Sequence, residues 1–312
     1  MLVSVALVTW LLVLVYPSDG QAVYELTLPP KKLKVCDNII VNDIEGGAAA
    51  VLEAGKLYLE SIHNNTVSPI APFQGAWKWE MARIKPPFVP ECKHLHVFGD
   101  ERKNYDEVKR FCYFPNSKGN GNKCNAYSIG SNNKWDFEEY FFRETDCTID
   151  TFDCTCNATV PAEIVSRTKF HQVCLGNVNS IDEKTGQRFL TLPALNKLIG
   201  RSVGPDYYKM DIEGYEWTML KSMVKAADTN HELHSQLPLQ IYAEYHLDRE
   251  SLEDNSYVVR NGNNAYVGKR LRYFWDELFL KGGYMIMHMR NTVQTRNMDL
   301  LIVKVFCPVD EV

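Results

Sequence analysis

The C-terminal two thirds of this 312-residue chain predict an α/β fold on a mainly parallel sheet. Three observations carry that expectation. Short apolar runs alternate with stretches of helical period over about 190 residues, the pattern of strands joined by crossover helices. A polar run at 116–123, with two glycines and no apolar residue, sets this region apart from what precedes it. The last two apolar runs have no helix between them, so they should pair as an antiparallel hairpin with a long loop at one sheet edge.

The elements follow in order. Residues 124–129 form a first strand, and Gly130 opens the turn into a helix at 135–143. Strands are expected at 148–152 and 169–175, then a short helix at 193–199. A fourth strand at 207–210 leads into a helix at 215–227, and a fifth strand spans 239–245. A helix at 265–280 ends at Gly282-Gly283, a C-cap signal. Strands at 284–289 and 300–306 make the edge hairpin.

The N-terminal part reads differently. Residues 2–16 carry no charge, and that length suits a signal peptide better than a bilayer span, which needs about 20 residues. Ser18 and Gly20 offer small residues for cleavage before Gln21, although no Lys or Arg precedes the apolar run. An uncleaved anchor is the alternative, and it is the only membrane attachment expected. Residues 21–115 read as a packed, irregular extension with a helix at 48–62 and a stretch rich in proline and aromatics at 69–90. The domain division is therefore 1–20, 21–115 and 116–312.

Composition narrows the function. Hydrophobic residues at 45% and charged residues at 23% support a packed core and not a disordered chain. A net charge of -5 argues against a nucleic-acid partner, which needs a concentrated basic face. Lys103, Lys109 and Arg110 read as a solvated helix face. Nine cysteines and the sequons at Asn64 and Asn157 agree with an oxidising, secretory compartment. An odd count leaves at least one thiol outside intramolecular pairs. A disulfide between Cys112 and Cys124 across the polar run is expected. No Cys-x-x-Cys pair marks a structural zinc site, so no protein metal ligand set is assigned from spacing.

Four constellations carry chemistry. The small-residue turn Gly130, Ser131, Asn132 lies between the first strand and its helix, where backbone N–H groups can approach a cofactor. Asp153 follows 23 residues after Gly130, the position from which an acidic residue accepts hydrogen bonds from a ribose diol. Asp211 ends the fourth strand, facing cofactor and acceptor, with Glu213 in the following turn. Glu244 and His246 end the fifth strand on one face by period two, so they can converge with Asp211. Imidazole chemistry makes His246 the candidate base.

The strings YSIGSNNKWDFEE (127–139), TFDCT (151–155) and KMDIEGYEW (209–217) resemble secretory methyltransferase-like proteins and, more distantly, FkbM-type methyltransferases that use S-adenosylmethionine (SAM). Against the FkbM turn Asp-x-Gly-Ala-Asn-x-Gly, Gly130 and Asn132 match, Ser128 stands for the Asp and Lys134 for the last Gly. The resemblance implies a Rossmann-like class I methyltransferase sheet with SAM as cofactor, bound through Gly130, Ser131, Asn132 and Asp153. It implies methyl transfer to a hydroxyl of a small molecule or glycan, with His246 as base and Asp211 and Glu244 orienting it or the acceptor. A divalent metal on Asp211 and Glu244 is the alternative to the base. A lumenal glycosyltransferase and a non-catalytic binding protein of the same fold are the rival functions.

Overall fold

The computed structural model describes residues 25–28, 31–63, 90–99, 108–112, 124–228, 230–246, 258–261, 264–267, 269–292 and 297–309. The expected leader at 1–20, the Asn64 sequon, most of the 69–90 stretch and the polar run at 116–123 lie outside them. Among the described residues, no helix is long and apolar enough to cross a membrane.

The N-terminal part contains β1 (Glu25–Leu28), β2 (Lys31–Val35), α1 (Ile39–Asn42), α2 (Gly47–His63), β3 (Leu95–Phe98) and β4 (Lys109–Cys112). The larger part continues through β5 (Asn125–Ile129), α3 (Asp136–Glu144), β6 (Thr148–Phe152) and β7 (Thr168–His171). Three short strands follow, β8 (Cys174–Leu175), β9 (Ser180–Ile181) and β10 (Arg188–Leu190), then α4 (Leu192–Leu198) and β11 (Tyr207–Met210). Next come α5 (Glu216–Asp228), α6 (His231–Ser235) and β12 (Gln240–His246). The chain ends with β13 (Val258–Asn261), β14 (Asn264–Val267), α7 (Lys269–Gly282), β15 (Tyr284–Thr292), β16 (Asn297–Lys304) and β17 (Phe306–Pro308).

Seven strands form the central sheet in the order β15-β16-β12-β11-β5-β6-β7. The pairs β12–β11, β11–β5, β5–β6 and β6–β7 are parallel, and β16 runs antiparallel to both β12 and β15. The chain order reverses beside β5, which makes the switch point where open α/β sheets hold their ligands. One reversed strand inside an otherwise parallel sheet is the class I methyltransferase arrangement that the edge hairpin implied.

Both sheet faces are covered. Tyr127, Ile129, Tyr208 and Met210 pack with α5 residues Trp217 and Leu220 on one face. Ala126, Ile149, Tyr207 and Tyr242 pack with α2, α3 and β4 on the other, through Val51, Phe137, Phe141 and Phe111. Every residue of β5 is buried, as a central strand with two covered faces requires. Among the described residues, the N-terminal extension is more regular than expected, with four strands and two helices. They contribute to one core face through residues such as Leu33, Val51 and Phe111, and β2 pairs with β17.

Several local expectations are corrected. The strand read at 169–175 splits after His171, where Val173 N–H returns to the His171 carbonyl, and β8 joins a small sheet with β9 and β10. Residues 264–267 are strand, so α7 starts later than its periodic pattern suggested. Lys109 is buried in β4, not displayed on a helix. Cys112 pairs with Cys92, and Cys124 pairs with Cys147, so the expected Cys112–Cys124 bond is absent. Strand pairing is the reason. Cys124 and Cys147 each precede the registered partners Asn125 and Thr148, which brings their Cα atoms to 4.6 Å. Cys36–Cys307 and Cys154–Cys174 complete four disulfides, leaving Cys156 as the free thiol among the described residues.

Candidate active site

The turn after β5 is shaped by residues that accept left-handed backbone. Gly130 has φ 79°, and Asn132 and Asn133 follow at 48° and 58°. Asn tolerates that region far better than most side-chain-bearing residues do. Gly130 N–H donates to the Phe152 carbonyl at 2.9 Å. Any Cβ on Gly130 would overlap the Asp211 carbonyl oxygen, so this glycine lets the turn lie against the loop after β11. It is required for loop-to-loop packing, whereas the sequence suggested only an approach to cofactor.

Asp153, just beyond β6, holds the turn. Its Oδ2 accepts Ser131 N–H at 3.0 Å and Asn132 N–H at 2.7 Å. Its Oδ1 accepts the Thr155 N–H at 2.8 Å and hydroxyl at 2.6 Å. Burial would raise this carboxyl, but the Thr155, Asn132 and Ser131 donors outweigh burial and hold it below the usual range. A carboxylate offers about four acceptor positions, and protein donors already fill that number. A ribose diol would have to displace one of them, so the geometry makes Asp153 a buttress of the turn.

A cavity of about 620 Å³ lies against this turn. Phe152, Leu175, Val178 and Phe189 give it an apolar wall, and the Cys154–Cys174 disulfide clasps that wall. Asp153, Thr155, Asp211 and Glu213 line its polar side, with Glu138 and Lys209 at the floor. The position is the switch point between β5 and β11, beyond the carboxyl ends of the strands. Lys209 Nζ donates to the Gly130 carbonyl. Thr151 Oγ1 donates to Glu138 Oε1 at 3.2 Å, and burial raises the Glu138 carboxyl despite Lys209, Ser128 and Thr151 nearby.

The loop from Asp211 to α5 is organised by a different carboxylate. Glu216 is fully buried, and its Oε1 accepts the Ile212 N–H at 2.8 Å while Oε2 accepts the Gly214 N–H at 3.0 Å. His246 Nδ1 lies 3.1 Å from Glu216 Oε1, and its Nε2 lies 3.5 Å from Glu213 Oε2. Burial would lower the imidazole, but the Glu216 hydrogen bond and charge, with Asp211 and Glu244, raise it to about 9. His246 is therefore an imidazolium at neutral pH. A ring that holds its proton at neutral pH is poorly placed to act as the base expected from the sequence.

Ligand atoms of Asp211, on the cavity wall, and His246 lie within 4.8 Å of each other, while Glu244, whose charge also reaches His246, pairs with a lysine. The Glu244 carboxylate lies 3.6 Å from the buried Lys109 Nζ. Asp211, Glu216 and His246 each offer a ligand atom within 4.8 Å of the others, a grouping that does not include the Glu244 expected beside Asp211. Sequence reading missed Glu138, Lys209 and Glu216, although all three stand inside the diagnostic strings. Their signal was charge at positions that the strand and helix periods turn inward.

Residues 41–268 match a family described as a methyltransferase domain. The chain belongs to this methyltransferase family. That match favours a methyltransferase over the glycosyltransferase reading. No curated protein sequence matches the chain. Among solved structures, it is similar to methyltransferase FkbM from Methylobacillus flagellatus KT, at 13% identity and a TM-score of 0.35, over 61% of this chain and 46% of that one. The chain thus spans about half the length of that protein. The N-terminal domain of EvdMO1 with SAH bound is 12% identical, with a TM-score of 0.30, over 59% of this chain and 75% of that one. SAH-bound CalO1, a methyltransferase in calicheamicin biosynthesis, is 12% identical over 59% and 49%, with a TM-score of 0.25. The fold assignment rests on the strand order and the family match.

The cavity's donor set fits SAM. An apolar wall suits a planar base, and the carboxylates of Glu138, Asp211 and Glu213 suit a molecule carrying sulfonium and ammonium charge.

Proposed function

We propose that this methyltransferase uses SAM to methylate a hydroxyl group of a small-molecule or glycan acceptor in the secretory pathway. The observation that carries the reading is the acid-lined cavity at the switch point, with Asp211 on its wall. Bound SAM supplies a methyl group already activated by its sulfonium, so the protein's task is mainly alignment and water exclusion. Gly130, Ser131 and Asn132 hold the cofactor's amino-acid end, and Asp153 keeps that turn in shape. Asp211 accepts the hydroxyl proton as the acceptor oxygen gains the methyl group and the sulfonium–methyl bond breaks, leaving S-adenosylhomocysteine. The His246 imidazolium, behind the loop, holds Glu213 and Glu216 in place and keeps their charge balanced. Four disulfides and an exposed Asn157 sequon support the secretory assignment.

Calorimetry on the oxidised protein tests the cofactor. We expect one site for SAM and none for UDP-glucose; no binding of SAM would overturn the reading. Methyl-labelled SAM with hydroxyl-bearing acceptors then tests the reaction. A labelled product stable to mild alkali is an ether, as expected, whereas an alkali-labile ester would move the acceptor to a carboxylate. SAM binding without turnover across acceptor classes would favour the non-catalytic binding protein. A second reading places a divalent metal on Asp211, Glu216 and His246, favoured by their mutual distances. Manganese titration followed by electron paramagnetic resonance, with His246→Ala as control, decides it.

A further inference from the structure

We propose that Glu138 binds the ammonium group of the cofactor's amino-acid end, taking over a charge that the turn itself lacks at Ser128. The inference rests on the SAM reading above. Ser128 stands on β5 where the related turn pattern carries an Asp, so a carboxylate is missing at that strand position. The structure brings one back from another element. Glu138, in the first turn of α3, reaches the sheet and accepts from Thr151 Oγ1 at 3.2 Å, beside the Ser128 hydroxyl. Ser128 and Thr151 are registered partners on β5 and β6, so Glu138 reaches two adjacent strands, two residues before Gly130 and Asp153.

Glu138 is 1% exposed, and an acid buried that deeply either keeps its proton or needs a compensating charge to ionise. Lys209 gives part of it from the neighbouring registered position on β11. Lys209 also donates to the Gly130 carbonyl, at the turn that carries the amino-acid end. Both residues line the cavity floor. An acid and a base side by side there match a zwitterion: Glu138 faces the ammonium, and Lys209, with three donors on its ammonium, faces the carboxylate. A binding role explains why α3 directs a carboxylate inward among Phe137, Phe141 and strand residues, where an apolar side chain would pack without penalty.

The test is calorimetry on the full oxidised chain with SAM, S-adenosylhomocysteine and 5′-methylthioadenosine, which lacks the amino-acid end. Glu138→Gln should weaken the first two ligands about tenfold or more, the loss of a charged hydrogen bond, and leave 5′-methylthioadenosine unchanged. Adding Ser128→Asp to Glu138→Gln should restore most of the lost affinity. Ser128→Asp alone should weaken binding, because two buried carboxylates repel. Unchanged SAM affinity in folded Glu138→Gln, or an equal loss for 5′-methylthioadenosine, overturns the inference while leaving the SAM site intact. If Glu138→Gln does not fold, the double variant decides: binding supports the role, and folding without binding removes it. Failure of both to fold would make Glu138 a structural residue and end the proposal. A wild-type protein that ignores SAM overturns the functional reading, and this inference with it.

Discussion

Two tight loops meet at the switch point, and they are locked by opposite means. The turn at 130–133 is held by Asp153, whose four partners are neutral N–H and O–H groups. The loop at 211–216 is held by Glu216, whose partners are two N–H groups and the His246 imidazolium. Beside the first lock's partners lies the Cys156 thiol, which burial and the Asp153 charge push up, so it keeps its proton near neutrality. The second lock depends on a proton. The turn at 130–133 is therefore built to be indifferent to pH near neutrality, while the loop at 211–216 carries a group that titrates at mildly alkaline pH.

The largest expected effect comes where the loops touch. Gly130→Val places a branched side chain at positive φ against the Asp211 carbonyl. Overpacking and backbone strain together should cost about 2–5 kcal/mol. A lowered thermal midpoint together with lost SAM binding is expected. Loss of binding at unchanged stability would mean that the glycine serves the cofactor alone and that the loops are independent.

The lock at 211–216 comes next. His246→Ala leaves fully buried Glu216 without its cation, which should destabilise by about 3 kcal/mol. The sign with pH follows from the raised imidazole. Its stabilisation is complete below the unfolded value of about 6.5 and is lost as pH rises through about 9. Urea midpoints from pH 6 to pH 10 should therefore fall in the wild type more steeply than in His246→Ala. Parallel curves would show that Glu216 does not hold the ring's proton.

The lock at 130–133 should respond more weakly and in the opposite pH range. Asp153→Asn keeps an acceptor but loses charge-assisted bonds, a cost of about 1.5–3 kcal/mol. The depressed carboxyl stabilises above the unfolded value of about 3.9, and that contribution is lost as pH falls through the folded value. Acid unfolding should thus begin at higher pH in a protein with a normal Asp153 environment, and Thr155→Val, which removes one donor, should shift it that way. SAM affinity of Asp153→Asn should fall with the turn's order, not by loss of a ribose contact. A loss confined to ribose-bearing ligands in a fully ordered turn would return Asp153 to its first reading.

The same contrast explains what was legible in the sequence. The strand ends at Met210 and Phe152 were readable because apolar runs stop at charged residues there. Gly130, Asn132 and Asp153 were readable as a site because small and polar residues cluster after a strand. Their roles were not, since a carboxylate that accepts backbone N–H groups and one that accepts ribose hydroxyls look alike in sequence. The charge state of His246 escaped for a similar reason. Its protonation is set by Glu216, 30 positions away and brought near only by the β11–β12 pairing. The inward turn of Glu138 also escaped, because an acid in the first turn of a helix has a sufficient explanation in the helix dipole.

The smallest expected effect probes backbone strain in the two loops. Asn132 at φ 48° and Glu213 at φ 61° occupy the same left-handed region. Left-handed backbone costs an ordinary side-chain-bearing residue roughly 1–2 kcal/mol, and Asn less because it bonds locally. Glycine removes that strain but adds about 0.5–1 kcal/mol of unfolded-state entropy. Asn132→Gly should therefore change stability by less than about 0.5 kcal/mol. Glu213→Gly should stabilise by up to about 1 kcal/mol, offset by loss of the half-exposed contact at 3.5 Å with His246 Nε2, since exposed pairs contribute about 0–1 kcal/mol. Thermal midpoints of the two variants measure the difference directly. A clear gain in Glu213→Gly with weakened turnover would mean that the loop at 211–216 keeps its strain to hold Glu213 over the cavity. Equal, negligible shifts would mean that the two loops differ in electrostatics alone, and that the imidazolium lock is the whole of the contrast between them.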